Sequence, residues 1–176
     1  PVIENHHCNG ILDISYIPAA IAPELITQAE QAAHLLAEKL DYIGLLTIEF
    51  FITRSGQLLV NEIAPRPHNS GHITLDSTIT SQFEQQLRAV CGLSLGSTAL
   101  KQEGTMLNLL GNVWLDPSSN PFETMINNHP NAKLYLYGKT QAKSGRKMGH
   151  LNICDNYREG LEKQVEQLKE QLKISD

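Results

Sequence analysis

Two apolar runs joined by a short polar linker constrain this chain more than any other feature of its sequence. Residues 43–52 and 57–63 are rich in leucine, isoleucine and phenylalanine, and residues 53–56 join them. A compact polar linker that ends in glycine predicts a β-hairpin. Each run also carries one carboxylate, Glu49 or Glu62, and an unpaired carboxylate is costly to bury in a sheet. Both side chains therefore need a partner.

The positions of the two glutamates predict that they share one face of the hairpin. If the linker has two or four residues, opposed positions have numbers with an odd sum, as Glu49 and Glu62 do, and their Cβ atoms lie roughly 5–8 Å apart. Two carboxylates so close repel each other unless a cation lies between them. Mg²⁺ suits that position because it takes oxygen ligands and commonly uses one or two carboxylates. Asn61 is expected on the opposite face of the hairpin from the glutamates. Because it lies near the end of its strand, its side-chain amide could still bind a metal or a phosphate.

Two other interpretations of the glutamates remain open. Each carboxylate can instead form an ion pair with a lysine or arginine, or lie at a solvated edge, since ion pairs in sheets are common. A linker of three or five residues would also place the two carboxylates on opposite faces of the hairpin.

The loop after the second run concentrates polar side chains around Gly71. These are Arg66, His68, Asn69, Ser70 and His72. Backbone amides near Gly71, together with the amide and hydroxyl side chains, can cradle a phosphate. The arginine can bind phosphate or carboxylate with two hydrogen bonds. The alternative is a polar surface loop with a capping role.

The rest of the chain predicts an α+β fold in two parts. Strands are predicted at 11–17, 105–110, 133–137 and 149–154, and helices at 23–41, 81–92, 122–127 and after Asn156. Ser81 and Glu84 form a capping box at the start of one helix. Asn156 is the predicted N-cap of the last helix, whose apolar stripe is Leu161, Val165, Leu168 and Leu172. A turn-rich stretch at 93–104 predicts a division into domains of residues 1–97 and 98–176.

Charge and cysteine content narrow the classes of function. The net charge of −5 argues against a broad nucleic-acid surface. Three widely spaced cysteines without a CxxC pair argue against a disulfide framework and for the cytoplasm. No apolar run approaches the roughly 18–20 residues that a membrane span needs. A non-enzymatic zinc module remains an alternative, in which His68 and His72 would join Cys8 and His6 or His7.

The segment from Asn61 to His72, which reads NEIAPRPHNSGH, closely resembles the signature of the N5-carboxyaminoimidazole ribonucleotide synthetase family. Residues 81–84, 87–89 and 145–152 also resemble segments of that family. The resemblance implies the C-terminal half of an ATP-grasp domain, an antiparallel sheet with helices, followed by a small α/β C-terminal domain. It implies an ADP-forming carbon–nitrogen ligase of purine biosynthesis. Bicarbonate would attack ATP to give carboxyphosphate, which carboxylates 5-aminoimidazole ribonucleotide.

The resemblance also implies roles for individual residues. Glu49 and Glu62 would bind Mg²⁺, with Mn²⁺ as a substitute. His7, Asn61 and Glu62 would contact ATP. Because His6 precedes His7, the alignment with the family histidine is open by one residue. Arg66, His68 and Asn69 would be catalytic, and Ser70, Lys139, Arg146 and Lys147 would contact the substrate.

Enzymes of this family are typically homodimers, and they need an N-terminal domain and a glycine-rich lid over the phosphates. No such lid precedes residue 1, so we expect this chain to be inactive without the N-terminal half. A second enzymatic interpretation is a formate-dependent glycinamide ribonucleotide transformylase. Such an enzyme would share Glu49, Asn61 and Glu62, but it is not expected to share the segment from His68 to His72 so closely.

Overall fold

The computed structural model describes residues 1–115 and 121–174. Within them lie seven strands, β1 (Glu4–Cys8), β2 (Ile11–Ile17), β3 (Thr47–Ile52), β4 (Leu58–Ala64), β5 (Glu103–Leu110), β6 (Ala132–Leu136) and β7 (Lys147–Asp155). The helices are α1 (Pro23–Lys39), α2 (Thr74–Ser77), α3 (Gln82–Val90), α4 (Pro121–Asn128) and α5 (Arg158–Gln171), with 3-10 turns at Asn69–Ile73 and Gly111–Trp114. The predicted α+β class is confirmed.

Five strands form one antiparallel sheet in the order β1-β2-β5-β7-β6, and β3 and β4 form a separate hairpin. Strands from before and after residue 97 thus lie in one sheet, and the division into domains 1–97 and 98–176 stays a prediction. The first hairpin turns at Asn9 and Gly10, whose φ angles are 50° and 76°. Such a pair of left-handed residues is the type I′ turn that joins tightly paired strands.

The core lies between the five-stranded sheet and α5. Leu107 and Leu109 of β5, with Leu151 and Ile153 of β7, are fully buried there against Leu161 and Leu168 of α5. Each buried side chain of this size contributes about 1.5–3 kcal/mol relative to exposure. The apolar stripe predicted for the last helix is therefore the surface that packs on the sheet. Within the described ranges, no helix has both the length and the apolar character needed to cross a bilayer.

Most predicted elements occur, with shifts of a few residues at their ends. The predicted strand at 11–17 has the bounds of β2, and the hydroxyl of Ser81 accepts a hydrogen bond from the backbone N–H of Glu84, which confirms that cap. The cap predicted at Asn156 is wrong. The helix begins one residue later than that cap implies, after Tyr157, and the backbone N–H of Asn156 instead donates to the carboxylate of Asp155.

Candidate active site

The β3–β4 hairpin places Glu49 directly opposite Glu62, but not in the expected way. Five residues, 53–57, separate the two strands, so the expectation of a two- or four-residue linker is wrong. In the half of the ladder next to the linker, Phe51 pairs with Leu59, a register that would have placed Glu49 opposite Asn61. A β-bulge between Glu49 and Phe50 shifts the register by one residue and restores the pairing of the glutamates.

Asn61 is the extra residue of this bulge, and its side chain does not lie where the simple alternation of a strand predicts. Its Nδ2 atom donates a hydrogen bond of 3.3 Å to Oε2 of Glu49. The expectation that Asn61 occupies the opposite face from the glutamates is therefore wrong, because the bulge interrupts the two-residue period of the strand. The bulge gathers two carboxylates and one amide at the same place.

His68 completes this group from the loop that follows β4. Its Nε2 atom lies 3.6 Å from Oε1 of Glu49 and 3.7 Å from Oε1 of Glu62. In the described part of the chain, these three form the only group of three or more His, Cys, Asp or Glu side chains whose ligand atoms gather within 4.8 Å of one another. The side chain of Glu49 is 17% exposed and that of Glu62 is 55% exposed, so the group opens outward on the Glu62 side.

This group fits a divalent cation that prefers oxygen ligands. Among the described residues, neither glutamate lies within 4.0 Å of a lysine or arginine nitrogen, so the ion-pair interpretation has no such partner. Two opposed carboxylates, with the side-chain oxygen of Asn61 beside them, are the donors that Mg²⁺ or Mn²⁺ takes. Nε2 of His68 is the side-chain nitrogen that approaches both carboxylates within 4.0 Å.

Positive groups surround the glutamates without pairing with them. Burial lowers the pKa of His68, the two glutamates act in the opposite direction, and Arg66 and Lys147 reinforce the lowering. Burial also lowers the pKa of the half-buried Lys147, while the carboxylate of Glu49 acts to raise it. The site therefore combines a carboxylate pair with a lysine and an arginine close enough to affect its electrostatics.

The loop residues expected to take part in the reaction lie beside His68. The hydroxyl of Ser70 is 2.9 Å from Nδ1 of His68, and both side chains are buried. Nδ2 of Asn69 is buried and has no hydrogen-bond partner among the described residues. Arg66 is exposed, and its guanidinium donates to the carbonyl of Pro67. A buried donor without a partner is costly, so Asn69 is suited to bind an acceptor on a ligand.

The three basic residues expected at the substrate differ in their placement. Lys147 begins β7 and lies near Glu49. Lys139 is exposed, donates to the backbone carbonyl of Lys147 and lies 5.4 Å from the centre of the Tyr137 ring. Arg146 is exposed, and its guanidinium donates to the carbonyl of Gln141. Lys147 is therefore the basic residue that the fold brings to the glutamates, with Lys139 held next to it.

His7 lies apart from this group. It is exposed on β1, an edge strand of the five-stranded sheet, and no hydrogen bond or ion pair within the described ranges joins it to the glutamates. His6, which precedes it, bonds to Glu4 and lies edge-on to Tyr16. The contact between His7 and the nucleotide therefore stays a prediction.

The zinc set considered from the sequence does not form among the described residues. His72 does not join His68 at the glutamates. Its Nδ1 atom lies 2.8 Å from Nε2 of Gln82, and its ring packs against those of Phe83 and His150. Cys8, at the end of β1, is a free cysteine outside the compact group.

Gln82 is a site residue that sequence reasoning missed. It is only 6% exposed, and its amide group binds both the backbone of His68 and the ring of His72. The sequence singled out the segment that contains it only through the capping box and a family resemblance. Nothing in the spacing of residues indicates that a glutamine in the first turn of α3 turns back toward the preceding loop.

Comparisons with known protein families divide the chain into two matched regions. Residues 1–83 match the ATP-grasp domain, and residues 104–164 match the phosphoribosylaminoimidazole carboxylase C-terminal domain. Among curated proteins, the chain is 50% identical over 153 residues to the N5-carboxyaminoimidazole ribonucleotide synthase of Bacillus subtilis. The aligned residues cover 87% of this chain and 39% of that relative. The synthase of Aquifex aeolicus is 42% identical over 171 residues, covering 97% of this chain and 44% of the relative.

Solved structures of the same family also match this chain. An N5-carboxyaminoimidazole ribonucleotide synthetase in complex with ADP superposes with a TM-score of 0.89 at 43% identity, covering 96% of this chain and 43% of that one. The Aspergillus clavatus enzyme in complex with ADP and 5-aminoimidazole ribonucleotide superposes with a TM-score of 0.89 at 29% identity, covering 98% of this chain and 46% of that one. The chain thus spans about two fifths of the length of the curated relatives it matches.

Proposed function

This chain belongs to the N5-carboxyaminoimidazole ribonucleotide synthase family of ATP-grasp ligases. We propose that it supplies the metal-binding carboxylates of the active site of such an enzyme. The reaction would join bicarbonate to 5-aminoimidazole ribonucleotide at the expense of ATP, through carboxyphosphate, in purine biosynthesis. The observation that carries the proposal is the pairing of Glu49 with Glu62 under Nε2 of His68. We refer to an enzyme of the relatives' length that contains this chain as the complete enzyme.

Glu49 and Glu62 would hold Mg²⁺, or Mn²⁺ in its place, with Asn61 beside them. Held by these residues, the ion would supply positive charge for the phosphoryl transfer from ATP. Asn61 and Glu62 would face the nucleotide, and His7 would contact it from another part of the enzyme. The bulge supports this assignment, because it turns the amide of Asn61 toward Glu49 instead of away from it.

The loop after β4 would border the carboxyphosphate. Arg66 would bind its oxygens through a charged hydrogen bond, and the unpaired Nδ2 of Asn69 would donate to the same group. His68 would orient the transferred group, with Ser70 fixing the direction of its ring through Nδ1. Because burial keeps the pKa of His68 below its ordinary value, its imidazole would be neutral near pH 7 and able to exchange a proton.

The basic residues would recognise the phosphate of the ribonucleotide. Lys147 would lie nearest the reacting groups, with Lys139 and Arg146 farther out on the surface. A half-buried lysine binds a phosphate more strongly than an exposed one, because less water competes for it. Ser70 would complete the substrate contacts.

The proposal extends to the whole molecule. Turnover would need the parts of the enzyme that the relatives carry outside the matched two fifths, including the lid over the phosphates. The molecule would be a homodimer in the cytoplasm, a compartment consistent with three free cysteines. Light scattering of the complete enzyme tests the dimer, and this chain assayed without the remaining parts should show no substrate-dependent ATP hydrolysis.

The direct test of the activity compares two ribonucleotides. The complete enzyme should form ADP only when 5-aminoimidazole ribonucleotide and bicarbonate are both present, with a carboxylated product detected by mass spectrometry. Turnover with glycinamide ribonucleotide and formate instead would contradict the proposal and favour the transformylase alternative.

A further inference from the structure

Gln82 binds the backbone of His68 at two points. Its Oε1 atom accepts a hydrogen bond of 2.9 Å from the backbone N–H of His68, and its Nε2 atom donates one of 2.8 Å to the carbonyl of the same residue. A neutral amide side chain offers a donor and an acceptor side by side in this way. The loop residue whose ring reaches the glutamates is therefore fixed at both of its peptide groups by a side chain from α3.

The same amide determines which nitrogen of His72 carries the proton. Because Oε1 of Gln82 must face the N–H of His68, the atom that lies 2.8 Å from Nδ1 of His72 is the donor Nε2. Nδ1 of His72 is therefore the acceptor, and the neutral ring carries its hydrogen on Nε2. Burial lowers the pKa of His72 to about 4, which agrees with a neutral ring.

The position of Gln82 is itself fixed from two sides. Its backbone N–H donates to the hydroxyl of Thr74, and that hydroxyl donates to the carbonyl of Gly71. A Cβ atom at Gly71 would lie 2.5 Å from Oε1 of Gln82, closer than real Cβ atoms approach. Gly71 therefore leaves the space that the amide occupies, and helix α3 and the loop are fitted to each other.

We propose that Gln82 is a positioning residue, which holds the ring of His68 against Glu49 and Glu62 and keeps the hydrogen of His72 on Nε2. The inference rests on the proposed function, because it concerns the site that carries it. Among the described residues, no hydrogen bond joins Gln82 to either glutamate, so it would act through His68 and His72. Its loss would leave the backbone N–H of His68 without a partner and its carbonyl with the N–H of Gly71 alone, which would release the ring from the glutamates.

The experiment uses Gln82→Leu, which removes both hydrogen-bonding atoms, and Gln82→Glu, which keeps the shape and the acceptor but loses the donor. A matched control is available on the same helix. Gln85 binds Gly96 in the same two-point manner, accepting 3.0 Å from its N–H and donating 2.6 Å to its carbonyl. Gln85→Leu therefore breaks an equivalent pair of hydrogen bonds away from the glutamates.

Two measurements on the complete enzyme separate positioning from general stability. The first is the nitrogen NMR shifts of the His72 ring, which should report one neutral form with the hydrogen on Nε2 in the wild type and in Gln85→Leu. That signature should be lost in Gln82→Leu. The second is steady-state kinetics, in which Gln82→Leu should lower kcat about 10- to 100-fold, with KM values changed less than about threefold, while Gln85→Leu stays within about twofold of wild type.

Gln82→Glu gives a further readout that a purely structural role would not move. Its carboxylate faces two acceptors, the carbonyl of His68 and Nδ1 of His72. The negative charge therefore favours a second proton on the ring of His72, which lets Nδ1 donate to the carboxylate. The activity of Gln82→Glu relative to wild type should therefore rise as the pH is lowered from 8 to 6. This variant also serves if Gln82→Leu does not fold.

The outcomes distinguish failure of the inference from failure of the proposed function. An unchanged His72 signature in Gln82→Leu or, where that variant does not fold, in Gln82→Glu would overturn the inference, as would a fall in kcat no larger than that of Gln85→Leu. If the wild-type enzyme does not carboxylate the ribonucleotide, the proposed function is wrong. The NMR shifts still decide whether Gln82 fixes the ring of His72.

Discussion

Glu49 faces Glu62 across the β3–β4 ladder because Asn61 is inserted into β4 as the extra residue of a bulge. If the register next to the five-residue linker continued without the bulge, Glu49 would face Asn61, and Glu62 would lie on the opposite face of the hairpin. The bulge also brings Nδ2 of Asn61 to 3.3 Å from Glu49. A single backbone irregularity therefore creates the carboxylate pair and gives one of its members a hydrogen-bond donor.

A third carboxylate at the bulge should make the stability of the site depend on metal. In Asn61→Asp, a hydrogen-bond donor to Glu49 is replaced by a like charge, so the melting temperature in EDTA should fall below that of wild type. Millimolar Mn²⁺ should remove that difference, because a ligand that binds only the folded state stabilises it. The measurement is thermal unfolding with EDTA and with Mn²⁺.

Asn61→Ala is the matched control for that change. It removes the amide without adding charge, so Mn²⁺ should raise its melting temperature less than that of Asn61→Asp. Equal shifts in the two variants would show that the side chain at position 61 does not face a cation.

The difference in burial between the basic residues predicts a difference in substrate binding. Lys147 is half-buried near Glu49, whereas Arg146 is exposed and donates to Gln141. A charged hydrogen bond contributes about 1.5–3 kcal/mol, so Lys147→Met should raise the KM of the complete enzyme for 5-aminoimidazole ribonucleotide about 10- to 100-fold. Arg146→Met should raise it less than about threefold. The reverse order in steady-state kinetics would mean that the phosphate binds farther out on the surface.

Asp76 should stabilise the packing of α2 against the five-stranded sheet. Its carboxylate accepts hydrogen bonds from Lys133 at 2.7 Å, from Tyr135 at 3.1 Å and from Asn152 at 2.8 Å. The side chain of Asp76 is 4% exposed and that of Lys133 is 62% exposed. Asp76→Asn should lower the free energy of unfolding by about 1–3 kcal/mol, because the hydrogen bonds to a charged acceptor are weakened.

Lys133→Met is the matched comparison for Asp76, since it removes one partner at the exposed end of the same contact. Because the ammonium group of Lys133 is largely in solvent, water weakens its attraction to Asp76 and can take its place, so this variant should lose much less stability in urea denaturation. If the two variants lose the same amount, the ion pair with the lysine, and not the buried hydrogen bonds, carries the stabilisation.

Burial of His150 should make stability fall in acid. Burial lowers the pKa of His150 to about 3, from an ordinary value of 6.5 in the unfolded chain. The unfolded state thus binds the proton more readily, so stability is fully present above about pH 6.5 and falls as the pH drops toward 3. The slope from this residue is at most about 1.4 kcal/mol per pH unit.

The test of His150 compares the free energy of unfolding at pH 7.5 and pH 5.5. His150→Phe keeps a ring against Tyr135 but cannot take up a proton, so its loss of stability between the two pH values should be smaller than that of wild type. His34→Gln, on the exposed surface of α1, should leave the loss unchanged. Identical losses in wild type and His150→Phe would refute the prediction.

The sequence was sufficient to predict elements whose signal is local. The apolar spacing of α1 and α5 and the cap at Ser81 depend on neighbours within one or two turns, and each is present. The strand β1 was missed, although Asn9 and Gly10 form the turn type that marks a tight hairpin. That signal was available in the sequence.

The geometry of the site was less predictable, because it depends on contacts between distant segments. The pairing of Glu49 with Glu62 was anticipated, but from a linker length that the structure contradicts, since a bulge leaves no clear pattern in one sequence. The hydrogen bonds from Gln82 to His68 join residues 14 positions apart across a loop. No periodicity reports such a contact.

Binding of Mn²⁺ to the complete enzyme in the presence of ADP tests the central claim most directly. Electron paramagnetic resonance should show that Glu49→Gln and Glu62→Gln each weaken Mn²⁺ binding by about tenfold or more. Glu84→Gln, which alters a glutamate paired with Arg88 on the surface of α3, should bind as wild type does. Wild-type affinity in both Glu49→Gln and Glu62→Gln would contradict the assignment of this pair as the metal site.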